Sequence, residues 1–181
     1  MSEPADEGRV RQATDADVDV IREIYNHAIE HSTATWDLEP VSLDDRRGWL
    51  VGHNTGRNVT LVAEVDGLVV GYAGYGTFRS KAGWADTVEH SVYLTEAARG
   101  RGFGRRLLVE LVAAARTHQI HAMVGVLTSD NEVSERLHRS LGFVEVGRMP
   151  QVGRKFGRWL DAVFLQLVLD ERSHPDDAIP E

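Results

Sequence analysis

The 181-residue chain contains no cysteine. That absence removes disulfides, thiolate zinc sites and a cysteine nucleophile together, so any group transfer must use another nucleophile or proceed directly. No apolar run approaches the roughly 20 residues that a membrane helix needs. The first residues, MSEPADEG, are acidic, unlike a secretory signal. Positive charge is also in deficit: 20 Lys and Arg against 28 Asp and Glu give a formal net charge of −8. Non-specific attraction to nucleic acid is therefore not expected. With 42% hydrophobic and 27% charged residues, the composition is that of an ordinary globular protein, long enough for one domain with a real core. A cytoplasmic enzyme with no membrane partner is the expectation.

Against this acidic background one stretch stands out, Thr87 to Leu108, TVEHSVYLTEAARGRGFGRRLL. Val88, His90, Val92 and Leu94 alternate with Thr87, Glu89, Ser91 and Tyr93, the period of a strand. A turn follows with Gly100, Gly102 and Gly104 among Arg99, Arg101, Arg105 and Arg106. Leu107, Leu108, Leu111, Val112 and Ala115 then recur at helical spacing. A strand, an arginine- and glycine-rich loop and a helix place free backbone N–H groups beside a positive helix end, which suits phosphate.

In chain order, residues 1–8 read as a loose leader and 170–181 as a disordered tail around a single domain, 9–169. A short strand at Arg9 to Ala13 precedes a helix capped by Thr14 or Asp15, with Val18, Ile21, Ile24, Tyr25 and Ala28 on one face. Ser42, followed by Asp44 and Asp45, starts a second helix. Asp66-Gly67 joins strands Val59 to Val65 and Leu68 to Tyr75 as a two-residue hairpin. Gly71, Gly74 and Gly76 leave room on the second strand for a ligand or a close neighbour. Ala122 to Leu127 reads as a buried strand, and Asn131 opens a short helix that Gly142 ends. Phe143 to Arg148 and Asp161 to Leu169 are expected as closing strands, separated by a basic loop, PQVGRKFGRW. Hairpins first and crossover helices later predict one α/β domain, a mixed and mostly antiparallel sheet flanked by helices.

The glycine loop is neither the G-x-G-x-x-G of dinucleotide folds nor a Walker loop. With Arg99, Gly102 and Gly104 in the pattern Q/R-x-x-G-x-G/A, it resembles the GNAT acetyltransferase superfamily, and the resemblance runs from about Val10 to Leu169. It implies acetyl-coenzyme A as co-substrate and no metal. It further implies that Val92, Tyr93 and Leu94 offer backbone groups to the thioester and pantetheine arm. The run Gly100, Arg101, Gly102, Phe103, Gly104 and Arg105, headed by Arg99, would hold the pyrophosphate. Three further segments are similar to the phosphinothricin and methionine sulfoximine N-acetyltransferases. They are TVEHSVY, the pattern Asn131, Ser134, Leu137, His138, Leu141, Gly142, Phe143, and VGRKFGRWLD. That likeness implies Glu89 as catalytic base, His138 near the thioester, and a homodimer.

Several residues have two readings. A carboxylate beside a thioester can take the proton that keeps an α-ammonium from attacking, which favours Glu89 as a base over a surface acid on an alternating strand. His138 is either a catalytic side chain or a half-buried histidine bonded to the sheet. Asn131 is either a helix cap or a contact to pantetheine. Arg79, Ser80 and Lys81 precede the core strand and offer cations to a substrate carboxylate. In the similar subfamily an arginine-headed loop there binds substrate with the Glu-His-Ser of the strand, here Glu89, His90 and Ser91. Trp36 and Trp84 are candidates for pocket walls. His27 and His31 are spaced as helical zinc ligands but lack a third, so a solvated helix face is expected and no metal.

The expected activity is transfer of acetyl to the α-amine of a small amino-acid-like acceptor by direct attack in a ternary complex. Phosphinothricin, methionine sulfoximine and methionine sulfone are the leading acceptors. A protein N-terminus, a polyamine, or a coenzyme A-binding module without turnover are the alternatives.

Overall fold

Local rules account for the element starts in the computed structural model, which describes residues 8–177. Strand β1 (Arg9–Gln12) is followed by a single 3-10 turn and helix α1 (Val18–His31). Helix α2 (Leu43–Gly52) begins at Ser42, whose hydroxyl accepts from the Asp45 N–H while the Asp45 carboxylate answers the Ser42 N–H, a closed capping box. β2 (Val59–Val65) and β3 (Leu68–Thr77) turn at Asp66 and Gly67 with φ of 49° and 78°. Both signs are what a twist-compatible two-residue hairpin requires. Then come β4 (Thr87–Leu94), α3 (Phe103–Thr117), β5 (Ala122–Thr128), α4 (Glu132–Ser140), β6 (Val144–Lys155) and β7 (Arg158–Val168).

The sheet order is β1-β2-β3-β4-β5-β7-β6. Only β4 and β5 run parallel; every other neighbouring pair is antiparallel. This is the mixed, mostly antiparallel sheet that the sequence predicts, in one α/β domain.

Alternation on the central strands divides the core. Ala73, Tyr75 and Val88 face α3, where Leu107, Leu108, Leu111 and Ala115 are fully buried. A 15-residue helix is marginal alone in water; burying each of those leucines is worth about 1.5–3 kcal/mol, so packing on the sheet holds α3. Val62 and Tyr72 face the other way, against Ile21 and Ile24 of α1 and Leu50 of α2. Leu137 and Leu141 bring α4 onto the α3 side, whereas Val133 is 73% exposed and takes no part.

The basic segment expected as a loop is instead part of a long hairpin. β6 and β7 continue until they turn at Phe156 and Gly157, with φ of 51° and 73°. Pro150 is tolerated because β6 is the outermost strand, where a missing N–H interrupts no ladder on the outer side. The register slips between Met149 and Gly153 as the strand bulges there. At Gly153 an added Cβ would fall 1.7 Å from the Trp36 ring, so a glycine is needed to seat that indole.

Residues 1–7 of the expected leader and 178–181 of the expected tail lie outside the described residues. Asp170 accepts from Arg172 and from His121, tying the chain after β7 back to the start of β5. No helix among the described residues is long and apolar enough to cross a membrane.

Candidate active site

The parallel ladder between β4 and β5 runs only from Thr87–Ala122 to His90–Gly125. β4 stays bonded to β3 as far as Leu94, and β5 stays bonded to β7 as far as Thr128. From Ser91 onward the two central strands therefore separate, and the edge of β4 that faces β5 has no strand partner. A cavity of about 510 Å³ opens at this split.

The two faces of the sheet meet there. Glu89, Ser91 and Tyr93 lie opposite Gly76, Gly74 and Tyr72 of β3, on the α1–α2 face. His90 lies on the other face, where His138 of α4 reaches it, and all of these but Gly74, Gly76 and Tyr72 line the cavity. Glu89 is half-buried, and that burial raises its pKa while the positive charge of Arg79 opposes the rise. A carboxylate weakened as an acid in this way is a stronger base.

His90 and His138 form a chain of contacts that can be counted in protons. His90 Nδ1 is 2.9 Å from the Val124 carbonyl oxygen, the two Nε2 atoms are 2.8 Å apart, and His138 Nδ1 is 2.7 Å from the Ser134 carbonyl oxygen. Carbonyls only accept, so both Nδ1 atoms are called on to donate, and the central contact needs a third proton. Two neutral imidazoles have two. Completing the chain requires one positive charge, which burial opposes: desolvation, joined by His138, pushes His90 down to about 3, and desolvation lowers His138 as well. At rest both rings are neutral and one contact lacks a proton. The Ser134 hydroxyl, 3.4 Å from His138 Nδ1, can turn its proton to that nitrogen. The pair is thus a buried site short of one proton.

A stability prediction follows from the sign of these shifts. A histidine whose folded pKa is depressed stabilises the fold above its unfolded value of 6.5, and that stability is lost as pH falls from there towards about 3. Denaturant unfolding at pH 7 and pH 5 is expected to show wild type losing more stability than His90→Asn over that interval. Parallel losses would contradict a buried neutral His90.

The phosphate-binding expectation concerns the start of α3. Gly100 and Gly102 have φ of 73° and 86° with open space where a Cβ would stand, so the backbone can approach a ligand closely. Gly102 caps α3 without a side chain, and the first helical bond is from the Arg106 N–H to Gly102. The N–H groups of Phe103, Gly104 and Arg105 are left pointing out of the helix end. Arg99, Arg101 and Arg105 are exposed around them. This donor set fits a pyrophosphate. Arg106 is not of the group, since it donates to the Gly8 carbonyl. The Phe103 ring is in the core at 4% exposure, so that residue can offer only its backbone.

The remaining expected site residues divide. Asn131 caps α4, its carbonyl accepting from the Ser134 N–H, and it also lines the cavity. Val92 lines the cavity, whereas Leu94 packs into the core and against Gly71. Arg79 reaches the cavity and also lines a separate pocket of about 300 Å³, where Ser80 and Lys81 lie with Thr55 and Arg57. Trp36 walls the cavity, while Trp84 is 46% exposed and packs on Phe78. The open side of Gly76 is filled by His53, so that glycine serves a neighbour and not a ligand. His27 and His31 stack on one another at 4.4 Å on the helix surface.

Tyr25, Thr35 and Asp37 also line the cavity, and sequence reasoning assigned none of them a place in the site. The Tyr25 hydroxyl donates to Asp37 at 2.7 Å and stands 2.9 Å from the Thr35 hydroxyl, and Lys155, 4% exposed, donates to the Thr35 carbonyl. Thr35 and Asp37 carried only the signal of a polar, tryptophan-bearing loop after α1, and Tyr25 read as part of the apolar face of that helix.

Comparison with known proteins places this geometry. A sequence model described as Acetyltransferase (GNAT) family matches residues 21–143. The L-methionine sulfoximine/L-methionine sulfone acetyltransferase of Salmonella typhimurium is 48% identical over 167 residues, 92% of this chain and 98% of that one. The structure of yncA from Salmonella typhimurium with its cofactor acetyl-CoA superposes with a TM-score of 0.91 at 47% identity, covering 94% of this chain and 99% of that one. A phosphinothricin acetyltransferase from Sinorhizobium meliloti in complex with acetyl-CoA gives a TM-score of 0.91 at 34% identity, covering 96% and 95%.

Proposed function

The chain belongs to the acetyltransferase (GNAT) family, and from that premise we propose that it acetylates the α-amine of a small amino-acid-like acceptor by direct attack in a ternary complex. The observation that carries the reading is the half-buried Glu89, its pKa raised, at the point where β4 and β5 part. Methionine sulfone, methionine sulfoximine and phosphinothricin are the proposed acceptors. The relatives that bear those names support the choice.

Each residue has a role in this scheme. The exposed N–H groups at the start of α3, with Arg99, Arg101 and Arg105, hold the pyrophosphate. The unpaired edge of β4 from Ser91 to Leu94 lies along the pantetheine arm, with Asn131 opposite. When bound, acetyl-CoA supplies the thioester carbon to which the amine nitrogen bonds as the carbon–sulfur bond breaks. Glu89 takes the proton from the acceptor's ammonium, directly or through one water. A backbone N–H near Val92 stabilises negative charge on the carbonyl oxygen. His138 Nε2, in the pair with His90 that is short of one proton, takes up the second proton that the amine nitrogen sheds as the amide forms and gives it to the departing sulfur. Arg79 binds the acceptor's carboxylate.

The same reading makes the protein a cytoplasmic homodimer. Support for the dimer is the outer strand β6, where Val144, Val146 and Met149 are exposed.

An acceptor panel at saturating acetyl-CoA tests the proposal. N-acetyl product, identified by mass, is expected from the three amino-acid analogues in preference to a polyamine or a peptide with a free N-terminus. Product only from the last two would replace the acceptor class.

A further inference from the structure

Beside the main cavity is a smaller chamber of about 280 Å³, which shares Tyr25, Asp37, Ser91 and Tyr93 with it. Its wall on the α2 side is Arg46, a guanidinium only 4% exposed. Arg46 stacks over the Tyr25 ring at 3.9 Å and the Trp49 ring at 4.7 Å. Among the described residues its side chain makes no ion pair and no hydrogen bond, and its Nε is buried without a partner. The other buried cation, Lys155, donates to a carbonyl. The acids that line the chamber are engaged elsewhere, Asp37 with the Tyr25 hydroxyl and Asp45 with Ser42. A second buried group here also lacks a partner, the hydroxyl of the fully buried Tyr72.

Both orphaned groups can donate, and leaving such donors buried and unmade costs about 1–3 kcal/mol each, more for a charge. The ligand that satisfies a guanidinium and a phenol together is one with acceptor oxygens. Position then decides which part of the acceptor it is. Ser91 is the next residue after Glu89 on the same face of β4, roughly 7 Å along the strand. In an amino acid the carboxyl carbon is only about 2.5 Å from the amine nitrogen, too near to span that offset. A side chain ending in an oxygen-bearing sulfur or phosphorus reaches it.

We propose that the Arg46–Tyr72 chamber binds the oxygen-bearing tetrahedral head of the acceptor side chain, a sulfonyl, sulfoximine or phosphinate group. The aromatic walls of Tyr25, Trp49 and Tyr93 enclose the head, and Arg46 selects for its oxygens. This rests on the acetyltransferase reading and adds the subsite that sets side-chain choice. A site built to bond such oxygens discriminates strongly against an analogue that lacks them.

The test compares methionine sulfone with methionine as acceptors for wild type, Arg46→Gln and Tyr72→Phe. Arg46→Gln is expected to lower the ratio of kcat/KM for the sulfone over methionine by about tenfold or more, mainly through the sulfone KM. Tyr72→Phe, which removes one oxygen from an otherwise unchanged ring, should lower the same ratio severalfold. Coenzyme A affinity should hold in both. An equal fall for both acceptors, or no fall, would show that Arg46 only packs α2 and would overturn the inference. Should Arg46→Gln fail to fold, Tyr72→Phe and calorimetric binding of methionine sulfone to the wild-type coenzyme A complex decide alone. Wild type that binds acetyl-CoA yet acetylates neither acceptor would overturn the acceptor reading itself, an outcome distinct from an unchanged ratio.

Discussion

Glu89→Gln is expected to lower kcat by roughly tenfold to a thousandfold while leaving coenzyme affinity nearly intact. Glutamine keeps the size and one oxygen of the side chain, so packing on the α1–α2 face is preserved; what is lost is the capacity to take a proton. Because burial raises the pKa of Glu89, the wild-type rate should fall with decreasing pH through a value above the ordinary carboxylate range. That acid limb should be missing from the variant. The pyrophosphate donors begin ten residues later in chain at Arg99 and do not include Glu89, which is why affinity should hold. Steady-state kinetics across pH, with coenzyme binding measured by calorimetry, checks both parts. A variant that loses coenzyme affinity in proportion to its rate would make Glu89 a structural residue.

Gly125→Ala is expected to have the second-largest effect. Gly125 is the last β5 residue in register with β4, opposite His90. A Cβ there would lie 2.8 Å from His90 Cε1 and 3.2 Å from His138 Nε2. Neither ring can retreat freely. His90 is held by the Val124 carbonyl, His138 by that of Ser134, and Phe143 packs on both at 5.3 and 5.1 Å. Overpacking of this kind costs about 1–3 kcal/mol. Separating the two Nε2 atoms should in addition cut kcat by about tenfold or more, the order of one general acid–base contribution. Gly147→Ala, where nothing lies within 4 Å, is the control and should stay within about 0.5 kcal/mol of wild type. Thermal unfolding and kcat together decide: a folded Gly125→Ala enzyme with unchanged kcat would show that the histidine pair plays no part in turnover.

What could be read from the sequence was local chemistry. Ser42 with Asp45, Asp66 with Gly67, and the glycines before α3 are short-range signals whose meaning does not depend on distant chain, and the structure places a cap, a hairpin and a helix start at them. The β6–β7 hairpin was misread for the same reason. Pro150 and Gly153 signal a loop by residue type, but one is excused by an outer edge and the other by Trp36, contacts fixed only in the folded chain. His90 shows the limit within the site. Its alternation put it on one side of a strand with Val88, Val92 and Leu94, yet its partner is 48 residues away in sequence, and no periodicity reports such a pairing. Arg46 was hidden more completely. Beside Arg47 in a helix with acids in its first turn, it looks like a solvated charge, and only the folded positions of Tyr25 and Trp49 enclose it.

The claim underlying all of this is that acetyl passes directly to the amine beside Glu89, with no covalent stop on the protein. Rapid mixing of the enzyme with excess acetyl-CoA, while free thiol is followed with and without methionine sulfone, tests it most directly. The account predicts no thiol release above background until the amine is present, then steady release matched by N-acetyl product. A burst of thiol equal to the enzyme concentration in the absence of acceptor would contradict it.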